Sequence, residues 1–374
     1  MAVAPDQPAA GGTHVMQSAL AGSEGAAVHF LVIADGPGAG QRFRLDPPGR
    51  VVGRAAPADI VIDDPAISRR HCRLAPAGGA ILVEDLGSTN GTLVDGVRLG
   101  TPTVLAHGAL LALGTVRLRY ETLTAAEAEA LAAGERDLAR AQDYVSALLP
   151  PPLAEGPVRI DWVYHPCARI GGDGFGYRAL GGGSFALYVL DVAGHGVGAA
   201  MHAALVLNTL RRDALGGIAL SEPAAIVGAL NALFPMEAHG ELFFTLWYGV
   251  YDAASRVLAF AAAGHHAAFL RAPDGRRLAP LWTRNLPVGV ARRPVQAARV
   301  RVSPGCLLYL FSDGAFEFTP RDGDRHVIEQ FVPLLSAPPE PGVAEPERLW
   351  RAARLRARPG PPEDDVSILV ASFP

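Results

Sequence analysis

The sequence of 374 residues contains no lysine, so all 33 of its basic side chains are arginine. This absence excludes every mechanism that needs an amine, such as a phosphate-binding loop of the GxxxxGK[ST] type, the strand lysine of protein kinases or a Schiff-base lysine. The chemistry of the protein must therefore come from carboxylates, histidines, hydroxyls, arginines or a bound metal ion.

Cysteine is scarce as well, and long apolar runs are missing. Cys72, Cys167 and Cys306 stand alone without CxxC spacing, which indicates neither a zinc site nor a disulfide framework and suits a reducing compartment. No apolar run reaches the ~18 residues that a membrane span needs. The formal charge of −4 provides no basic surface in bulk for nucleic acid. We therefore expect a cytoplasmic protein that binds neither nucleic acid nor a membrane.

Composition and periodicity divide the chain into four segments. Residues 1–25 are rich in Ala, Gly, Ser and Pro without the basic region of a signal peptide, and they predict a disordered tail. Residues 26–122 predict a small all-β sandwich, because short β-type runs alternate with turn residues. Those runs are 28–33, 50–52, 60–62, 80–83 and 116–120. Residues 123–150 predict a linker helix, and residues 151–374 predict a layered α/β domain.

The C-terminal segment alternates apolar strands with helical stretches. A helix over residues 197–210 would have apolar side chains on nearly every face, which predicts that it is buried on every side. Short apolar runs predict buried strands at 185–192, 242–251, 257–262, 307–311 and 366–372.

The linker helix has a marked start and stop. Thr124 and Glu127 have the spacing of a capping box, and a run of three prolines ends the helix. Leu131, Leu138 and Val145 recur every seven residues, which is the pattern of a short coiled-coil seam between two protomers. This interpretation predicts a homodimer through the helix. The alternative is a helix that lies on the next domain of its own chain.

Four acidic motifs stand at or beside the ends of the C-terminal strands. They are Gly171-Gly172-Asp173, Asp191-Val192-Ala193-Gly194-His195-Gly196, Ser312-Asp313-Gly314 and Asp364-Asp365-Val366-Ser367. If these strand ends converge, like charges roughly 4 Å apart repel by about 4 kcal/mol at an effective dielectric of about 20, so the cluster requires protons or cations. An all-oxygen site favours Mg²⁺ or Mn²⁺, and two such ions can activate a water for attack on phosphorus. The pattern indicates metal-assisted phosphoester hydrolysis.

The order and content of these motifs resemble the SpoIIE-like branch of the PPM metal-dependent serine/threonine phosphatases, from about residue 148 to the C-terminus. Further residues that carry the resemblance are Ile170, Phe-Thr-Leu-Trp-Tyr-Gly-Val at 244–250, Ala-Gly-His at 263–265 and Leu-Pro-Val-Gly at 286–289. The resemblance implies a layered α/β phosphatase domain in which helices flank a β-sandwich.

The resemblance also implies roles for the acidic residues. Asp191 would bridge two Mn²⁺ or Mg²⁺ ions, and the carbonyl of Val192 would complete the shell of the second ion. Asp313 and Asp364 would hold the first ion, while Asp173 would act more peripherally through water. A bridging hydroxide would attack phosphoserine or phosphothreonine in line, without a phosphoenzyme. Asp191, Asp313 and Asp364 are therefore the predicted catalytic residues.

One position departs from the family pattern. The family usually reads Gly-Gly-Asp-x-x-Asp, and here the last position is Gly176. The missing carboxylate supports a second interpretation, in which the chain is a binding scaffold with a weak or inactive phosphatase-like domain. A third interpretation is a metal-dependent hydrolase of a nucleotide or another small phosphoester.

The histidines near these motifs have structural and functional interpretations. His195, between two glycines, either bonds to backbone or transfers a proton. A structural role is favoured for His265 and His266, which follow a strand, and His202 in the predicted buried helix is expected to be a core residue. Arg169 either contacts the substrate phosphate or lies exposed in its loop.

The N-terminal segment has loops rich in hydroxyl, amide and arginine donors, which suit a dianionic phosphate. The loops are Gly53-Arg54, 59–62, Ser68-Arg69-Arg70-His71 and 85–91. Their spacing resembles an FHA domain. The resemblance implies phosphothreonine recognition by Arg54, Ser68, Arg69, Thr89 and Asn90. It also implies that His71 braces the loops and that Cys72 is a core residue.

Together the two resemblances imply a protein serine/threonine phosphatase of a bacterial-type signalling pathway, which its FHA domain places on a phosphothreonine partner. The substrate is expected to be a phosphoserine or phosphothreonine protein, and by family resemblance a STAS-domain protein. In the second interpretation the FHA domain alone carries the function. Neither predicted site needs an amine, so the absence of lysine fits both.

Overall fold

The structure is a computed structural model, and it describes residues 27–36, 38–167, 170–212, 214–320, 325–358 and 360–374. The chain forms two compact units, Met1–Ala133 and Gly134–Pro374. The predicted tail at residues 1–25 lies outside the described stretches. Within them, every helix is too short or too polar to cross a membrane.

The first unit is a sandwich of two β-sheets followed by the beginning of a helix that continues into the second unit. Its elements are β1 (Val28–Asp35), β2 (Arg42–Arg44), β3 (Arg50–Gly53), β4 (Ile60–Val61), β5 (Cys72–Ala77), β6 (Ala80–Asp85), β7 (Thr92–Val94), β8 (Val97–Arg98), β9 (Thr103–Val104), β10 (Leu110–Leu113), β11 (Val116–Leu123) and α1 (Ala125–Ser146). One sheet has the order β2-β1-β11-β10-β7-β8, and the other has the order β4-β3-β5-β6-β9.

Buried and exposed side chains alternate along the strands, and the buried ones form the core between these sheets. In β11, Val116, Leu118 and Tyr120 are buried, whereas Arg117 and Arg119 are exposed. This is the period of two expected for a strand with one face on a core. All five predicted β-type runs coincide with strands, which confirms the all-β sandwich. Most of the remaining strands have only two to four residues, too few for a periodic pattern to be recognised.

Helix α1 begins as its sequence predicts. The Glu127 backbone N–H donates to Thr124 Oγ1 at 3.2 Å, and the Glu127 carboxylate accepts from the Thr124 backbone N–H at 2.8 Å, so the capping box is confirmed. Leu138, Ala141 and Val145 lie in the part of the helix that belongs to the second unit, and they pack in the core of that unit. This half of the helix therefore lies on the next domain, as in the alternative interpretation. The homodimer stays a prediction.

The second unit contains two antiparallel sheets and several helices. Its strands are β12 (Arg159–His165), β13 (Asp173–Gly181), β14 (Ser184–Val192), β15 (Phe244–Asp252), β16 (Val257–Ala263), β17 (Ala268–Arg271), β18 (Leu278–Leu281), β19 (Ala298–Arg301), β20 (Cys306–Phe311) and β21 (Val366–Phe373). Its helices are α2 (Val197–Arg211), α3 (Pro223–Leu233), α4 (Ile328–Phe331) and α5 (Glu345–Arg356), with 3₁₀ turns at Met236–Ala238, Asp313–Ala315 and Val332–Ser336.

The sheets and helices of this unit form four layers. One sheet has the order β13-β14-β15-β16-β19, and the facing sheet has the order β12-β21-β20-β17-β18. Helices α2 and α3 contact the first sheet, and α5 contacts β12 and β21 of the second. Apolar side chains from both sheets meet in one core. The predicted helix-flanked β-sandwich and its five predicted strands are thus confirmed.

Helix α2 corrects one expectation. Val197, Met201 and Leu205, spaced four residues apart, are 47, 68 and 50% exposed. The prediction of a helix buried on every side is wrong on this face. The physical reason is that α2 covers the outside of a sheet, so only the side that faces β13 and β14 is shielded from solvent.

Candidate functional site

Four strand ends bring the predicted carboxylates together. Asp173 is the first residue of β13 and pairs directly with Asp191 near the end of β14. Asp313 begins the 3₁₀ turn after β20, and Asp364 lies just before β21. Because β13 and β14 belong to one sheet and β20 and β21 to the facing sheet, each sheet supplies two aspartates to the same end of the sandwich.

The pKa values of these aspartates reflect their closeness. Burial raises the pKa of Asp191 to about 7, and the charges of Asp313 and Asp364 add to the shift. Burial, with the neighbouring charge of Asp364, raises the pKa of Asp313 to about 6. Burial and then Asp191 raise the pKa of Asp173 well above its ordinary value, and burial also raises that of Asp364. Ionisation of each carboxylate is thus opposed by its surroundings, which is the condition under which a divalent cation binds favourably.

The donor set fits hard divalent cations, because the predicted side-chain ligands are all carboxylates. The carbonyl oxygen of Val192 lies 3.3 Å from the position that a Cβ would take at Gly172. A side chain at this position would therefore crowd that carbonyl, and glycine avoids this. The residues present are compatible with the two ions that the sequence predicts.

Two buried serines connect the sheets at the cluster. Ser367 Oγ donates to Asp173 Oδ2 at 2.8 Å, and the Ser367 backbone N–H donates to Ser312 Oγ at 2.9 Å. Ser312 Oγ in turn donates to the backbone oxygen of Asp365 at 3.0 Å. Both serines are fully buried. They stand inside the predicted motifs, but the sequence assigned them no role; the structure shows that they fix the orientation of Asp173.

Asp365 supports the site, although the sequence analysis assigned a role to its neighbour Asp364 alone. Its Oδ1 accepts from the Cys167 backbone N–H at 2.8 Å, and its Oδ2 accepts from the Gly172 backbone N–H at 2.5 Å. Among the described residues, ligand atoms of Cys167, Asp364 and Asp365 lie within 4.8 Å of one another. Asp365 is 4% exposed, and it holds the turn that leads into Asp173.

Gly176 lies on the other face of its strand. It pairs with Tyr188, and a Cβ at this position would stand 2.5 Å from Cζ of the Tyr188 ring. The side chain of Asp173, three residues earlier, points to the opposite face because strand side chains alternate. A carboxylate at position 176 would therefore point away from the aspartate cluster in this register.

The histidines divide into one exposed and three enclosed residues. His195 lies exposed in the loop after β14, and its charge lowers the pKa of Asp364. His202 is buried among aromatic rings, as expected for a core residue. His265 Nδ1 lies 3.1 Å from the His266 carbonyl, and burial lowers the pKa of both rings. Arg169 lies outside the described residues.

In the first unit, all five predicted phosphopeptide-binding residues line one open pocket of about 300 Å³. The lining consists of Arg54, Pro65, Ala66, Ile67, Ser68, Arg69, Thr89 and Asn90. The Thr89 backbone N–H donates to Ser68 Oγ at 3.0 Å, and Asn90 Nδ2 donates to the Ala66 carbonyl at 2.8 Å. These bonds join two loops into one wall, so the pocket is formed before any ligand binds.

His71 stands behind this wall rather than in it. The Ser68 backbone N–H donates to His71 Nδ1 at 3.2 Å, and His71 Nε2 lies 3.2 Å from the Gly91 carbonyl. The ring is fully buried, so it braces the loops as the resemblance implies. Cys72 is fully buried too, and burial raises the pKa of its thiol to about 12, as expected of an unreactive core residue.

Asp85 is a second residue that the sequence left without a role. Its carboxylate accepts from the backbone N–H groups of Gly87 (2.9 Å) and Ser88 (2.8 Å), from Ser88 Oγ (2.6 Å) and from Thr92 Oγ1 (2.7 Å). Burial alone would raise its pKa, but these donors lower the pKa to about 2. Asp85 therefore holds the loop that presents Thr89.

Comparisons with known proteins agree with both units. The FHA family model matches residues 50–114, and the model of stage II sporulation protein E (SpoIIE) matches residues 181–374, just over half of the chain. The glycogen accumulation regulator GarA of Mycolicibacterium smegmatis is 41% identical over 119 residues, which make up 31% of this chain and 73% of that protein.

Two solved structures of PP2C phosphatase domains resemble this chain. The SiaA-PP2C domain of Pseudomonas aeruginosa superimposes with a TM-score of 0.58 at 22% identity, covering 66% of this chain and 99% of that one. The PP2C phosphatase domain with a regulatory fragment of SpoIIE from Bacillus subtilis gives 0.50 at 21%, covering 58% and 61%. Identities this low establish a common fold alone. With the family match, they lead to one conclusion: the chain belongs to the SpoIIE family and carries an FHA domain ahead of a PP2C-type phosphatase domain.

Proposed function

We propose that the protein is a Mn²⁺- or Mg²⁺-dependent protein serine/threonine phosphatase that its FHA domain recruits to a phosphothreonine partner. The observation that carries this proposal is the convergence of four aspartates at one end of the sandwich. One sheet contributes Asp173 and Asp191, and the facing sheet contributes Asp313 and Asp364. Membership of the SpoIIE family supports the reaction class.

The chain offers oxygen donors for two ions. Asp191 is the natural bridging ligand, because the charges of both Asp313 and Asp364 act on it. Asp313 and Asp364 would hold the first ion, the carbonyl of Val192 would complete the second site, and Asp173 would bind more peripherally through water. Bound there, the ions would supply an acidified water and positive charge for the phosphoryl oxygens.

The contribution of the other residues is orientation. Ser367 keeps Asp173 in place, and Asp365 holds the preceding glycine turn through Gly172. Since like charges in the cluster repel, ligands that were free to rotate would turn apart. Hydrogen-bond partners hold the ligands in position and keep the spacing between the two sheets constant. In-line attack requires such a fixed geometry.

The FHA pocket suits a phosphate directly. Arg54 and Arg69 bring guanidinium groups, whose planar fork pairs with two phosphate oxygens. The Ser68 hydroxyl lies 3.4 Å from Thr89 Oγ1, a long hydrogen bond that a phosphate oxygen can replace. Asn90 adds an amide to the same wall. These donors support recognition of phosphothreonine.

The finer parts of the proposal rest on the resemblance. The substrate is a phosphoserine or phosphothreonine protein, and a STAS-domain protein is the first candidate to test. The homodimer through α1 and the cytoplasmic location stay predictions.

The scaffold alternative rested on Gly176. Because that position faces Tyr188 and not the aspartates, its lack of a carboxylate takes no ligand from the cluster. This favours the enzyme over the scaffold. A hydrolase of small phosphoesters differs from a protein phosphatase in substrate preference alone, so the same assay separates the two.

The test combines metal binding with hydrolysis in the full chain. We expect calorimetric titration to show Mn²⁺ binding, which Asp191→Asn abolishes, and we expect a phosphoserine protein to be hydrolysed faster than a nucleotide in the presence of Mn²⁺. Absence of Mn²⁺ binding in the wild type would establish the scaffold. Faster hydrolysis of the nucleotide would point to the small-phosphoester hydrolase.

A further inference from the structure

Arg325 stands beside the aspartate cluster, held by a residue of the Asp313 turn. The Glu317 backbone N–H donates to the Asp313 carbonyl at 2.7 Å, so Glu317 lies one helical turn beyond Asp313. The Glu317 carboxylate accepts from Arg325 Nη2 at 3.1 Å. This ion pair fixes a guanidinium next to the residues that would hold the first metal ion.

The positive charge of Arg325 reaches two of those residues. It lowers the pKa of Asp313 and of Asp364, against the larger raising effect of burial. The Arg325 side chain is 63% exposed and the Glu317 side chain 42% exposed. An exposed ion pair contributes little to stability, so an incoming anion can take the place of Glu317 at small cost.

Two other arginines near the site are bound differently. Arg354 Nη2 donates to the Gly360 carbonyl at 2.5 Å, and Arg358 Nε donates to the Pro320 carbonyl at 3.3 Å. These guanidinium groups hold backbone in place. Arg325 instead pairs with a side chain at the surface, which can rotate away.

A phosphate monoester that enters this site meets a strongly acidic surface. Its carboxylates are Asp173, Asp191, Asp313, Glu317, Asp364 and Asp365. Two divalent ions do not neutralise that many carboxylates when all are ionised, and the substrate itself brings a dianion. A guanidinium beside the metal ligands offsets the repulsion and pairs with two phosphate oxygens at once.

We propose that Arg325 exchanges its partner Glu317 for the phosphate of the incoming phosphoserine or phosphothreonine, and so binds phosphate at the phosphatase centre. This role rests on the proposed function of the site. Since the contact is made both in the bound substrate and in the transition state, Arg325 contributes to binding more than to the chemical step.

The test compares Arg325→Gln, which removes the charge and keeps the length, with Arg351→Gln. Arg351 is a matched control because it forms an exposed ion pair with Glu347 at 2.6 Å on α5. All proteins, including the parent, also carry Arg54→Ala, so that the FHA pocket does not bind the probe. With Mn²⁺ and p-nitrophenyl phosphate, we expect Arg325→Gln to raise KM about tenfold and to change kcat by less than about twofold, while the control matches the parent.

A second readout does not depend on turnover. Inorganic phosphate is titrated calorimetrically into the Mn²⁺-loaded proteins, and Mn²⁺ affinity is measured in each. Phosphate binding weakened about tenfold in Arg325→Gln, with Mn²⁺ affinity unchanged, supports the role. Equal phosphate affinity in Arg325→Gln and the parent overturns it, whatever the effect on kcat. If the parent hydrolyses nothing, the proposed function fails, and the phosphate titration still decides for or against Arg325.

Discussion

The FHA pocket and the aspartate cluster are both proposed to bind phosphate, but they are built from opposite charges. The pocket offers arginine, hydroxyl and amide donors from exposed loops, and it is open in the folded chain. The cluster offers partly or fully buried carboxylates, which repel a phosphate until cations intervene. Under the proposed function, recognition therefore needs the fold alone, whereas hydrolysis needs the fold and bound ions.

The supporting carboxylates show the same contrast. Asp85 behind the FHA loops accepts four hydrogen bonds, and these lower its pKa to about 2. Asp191 in the cluster is surrounded by other acids, and its pKa rises to about 7 through burial and their charges. One carboxylate therefore stabilises the fold when ionised, and the other opposes it when ionised.

The largest effect should come from the cluster. Replacing Asp313 with Asn removes a predicted metal ligand, and we expect kcat/KM for a phosphoserine peptide with Mn²⁺ to fall about 1000-fold. Binding of a phosphothreonine peptide to the same protein should not change. Steady-state assays and fluorescence anisotropy measure the two properties. Asp252→Asn, at the last residue of β15, is the control; an Asp313 variant as active as this control contradicts the metal-ligand role.

The converse variant tests the pocket. Arg54→Ala removes a charge-assisted phosphate contact, so we expect affinity for a phosphothreonine peptide to fall about 30-fold. Hydrolysis of p-nitrophenyl phosphate should stay at the wild-type rate. Arg73→Ala, on the exposed side of β5, is the matched control. If both variants bind the peptide equally well in calorimetry, the pocket is not the binding site.

A smaller effect is expected on the stability of the FHA loops. Asp85→Asn leaves donors without their ionised acceptor, and the free energy of unfolding of the first unit should fall by about 2 kcal/mol at pH 7. Because the pKa of Asp85 is lowered, its stabilisation is present above about pH 4 and is lost as the pH falls towards 2. Urea unfolding of the full chain measures the change. A loss no greater than that of Asp46→Asn, a surface control, shows that these bonds do not stabilise the unit.

The smallest effect is expected on the thermal stability of the second unit, as a function of pH and of bound metal. The pKa values of Asp191 and Asp313 are raised to about 7 and about 6, so the folded metal-free protein holds protons that the unfolded chain releases. This stabilisation is present below about pH 4 and is lost as the pH rises through 6 to 7. We expect the Tm of the metal-free second unit to fall by about 5 °C between pH 5 and pH 8, and saturating Mn²⁺ to reverse the fall. If calorimetry shows a Tm that rises with pH over this range, the raised pKa values of Asp191 and Asp313 are contradicted.

The FHA pocket could be predicted nearly complete from the sequence. Its five residues stand in loops between short strands, and the structure places all five around one cavity. The residues alone indicated loops rich in donors that suit a phosphate, and the resemblance to FHA domains selected these five. His71 was placed correctly behind the pocket as well, whereas Asp85 was not recognised because its partners become visible only when the turn is folded.

The aspartates of the cluster could be predicted from the sequence, but the residues that support them could not. The resemblance selected Asp364 as the ligand, but the role of Asp365 could not be predicted, because its partners are the backbone N–H groups of Cys167 and Gly172, almost 200 residues away. The direction of Gly176 likewise depends on its pairing with Tyr188. Such contacts join distant segments, so no local pattern contains them.

Residue types and their spacing already limit the chemistry of this protein: no amine, arginine in the loops of a β-sandwich, and aspartates at the ends of apolar strands. Contacts between distant segments account for the rest: two facing sheets deliver those aspartates to one place, Asp365 accepts from the backbone N–H groups of Cys167 and Gly172, one face of α2 is exposed, and Arg325 pairs with Glu317 beyond the Asp313 turn. The physical reason is that strand register sets where a side chain points and burial sets its charge, and both arise from contacts between segments far apart in the chain.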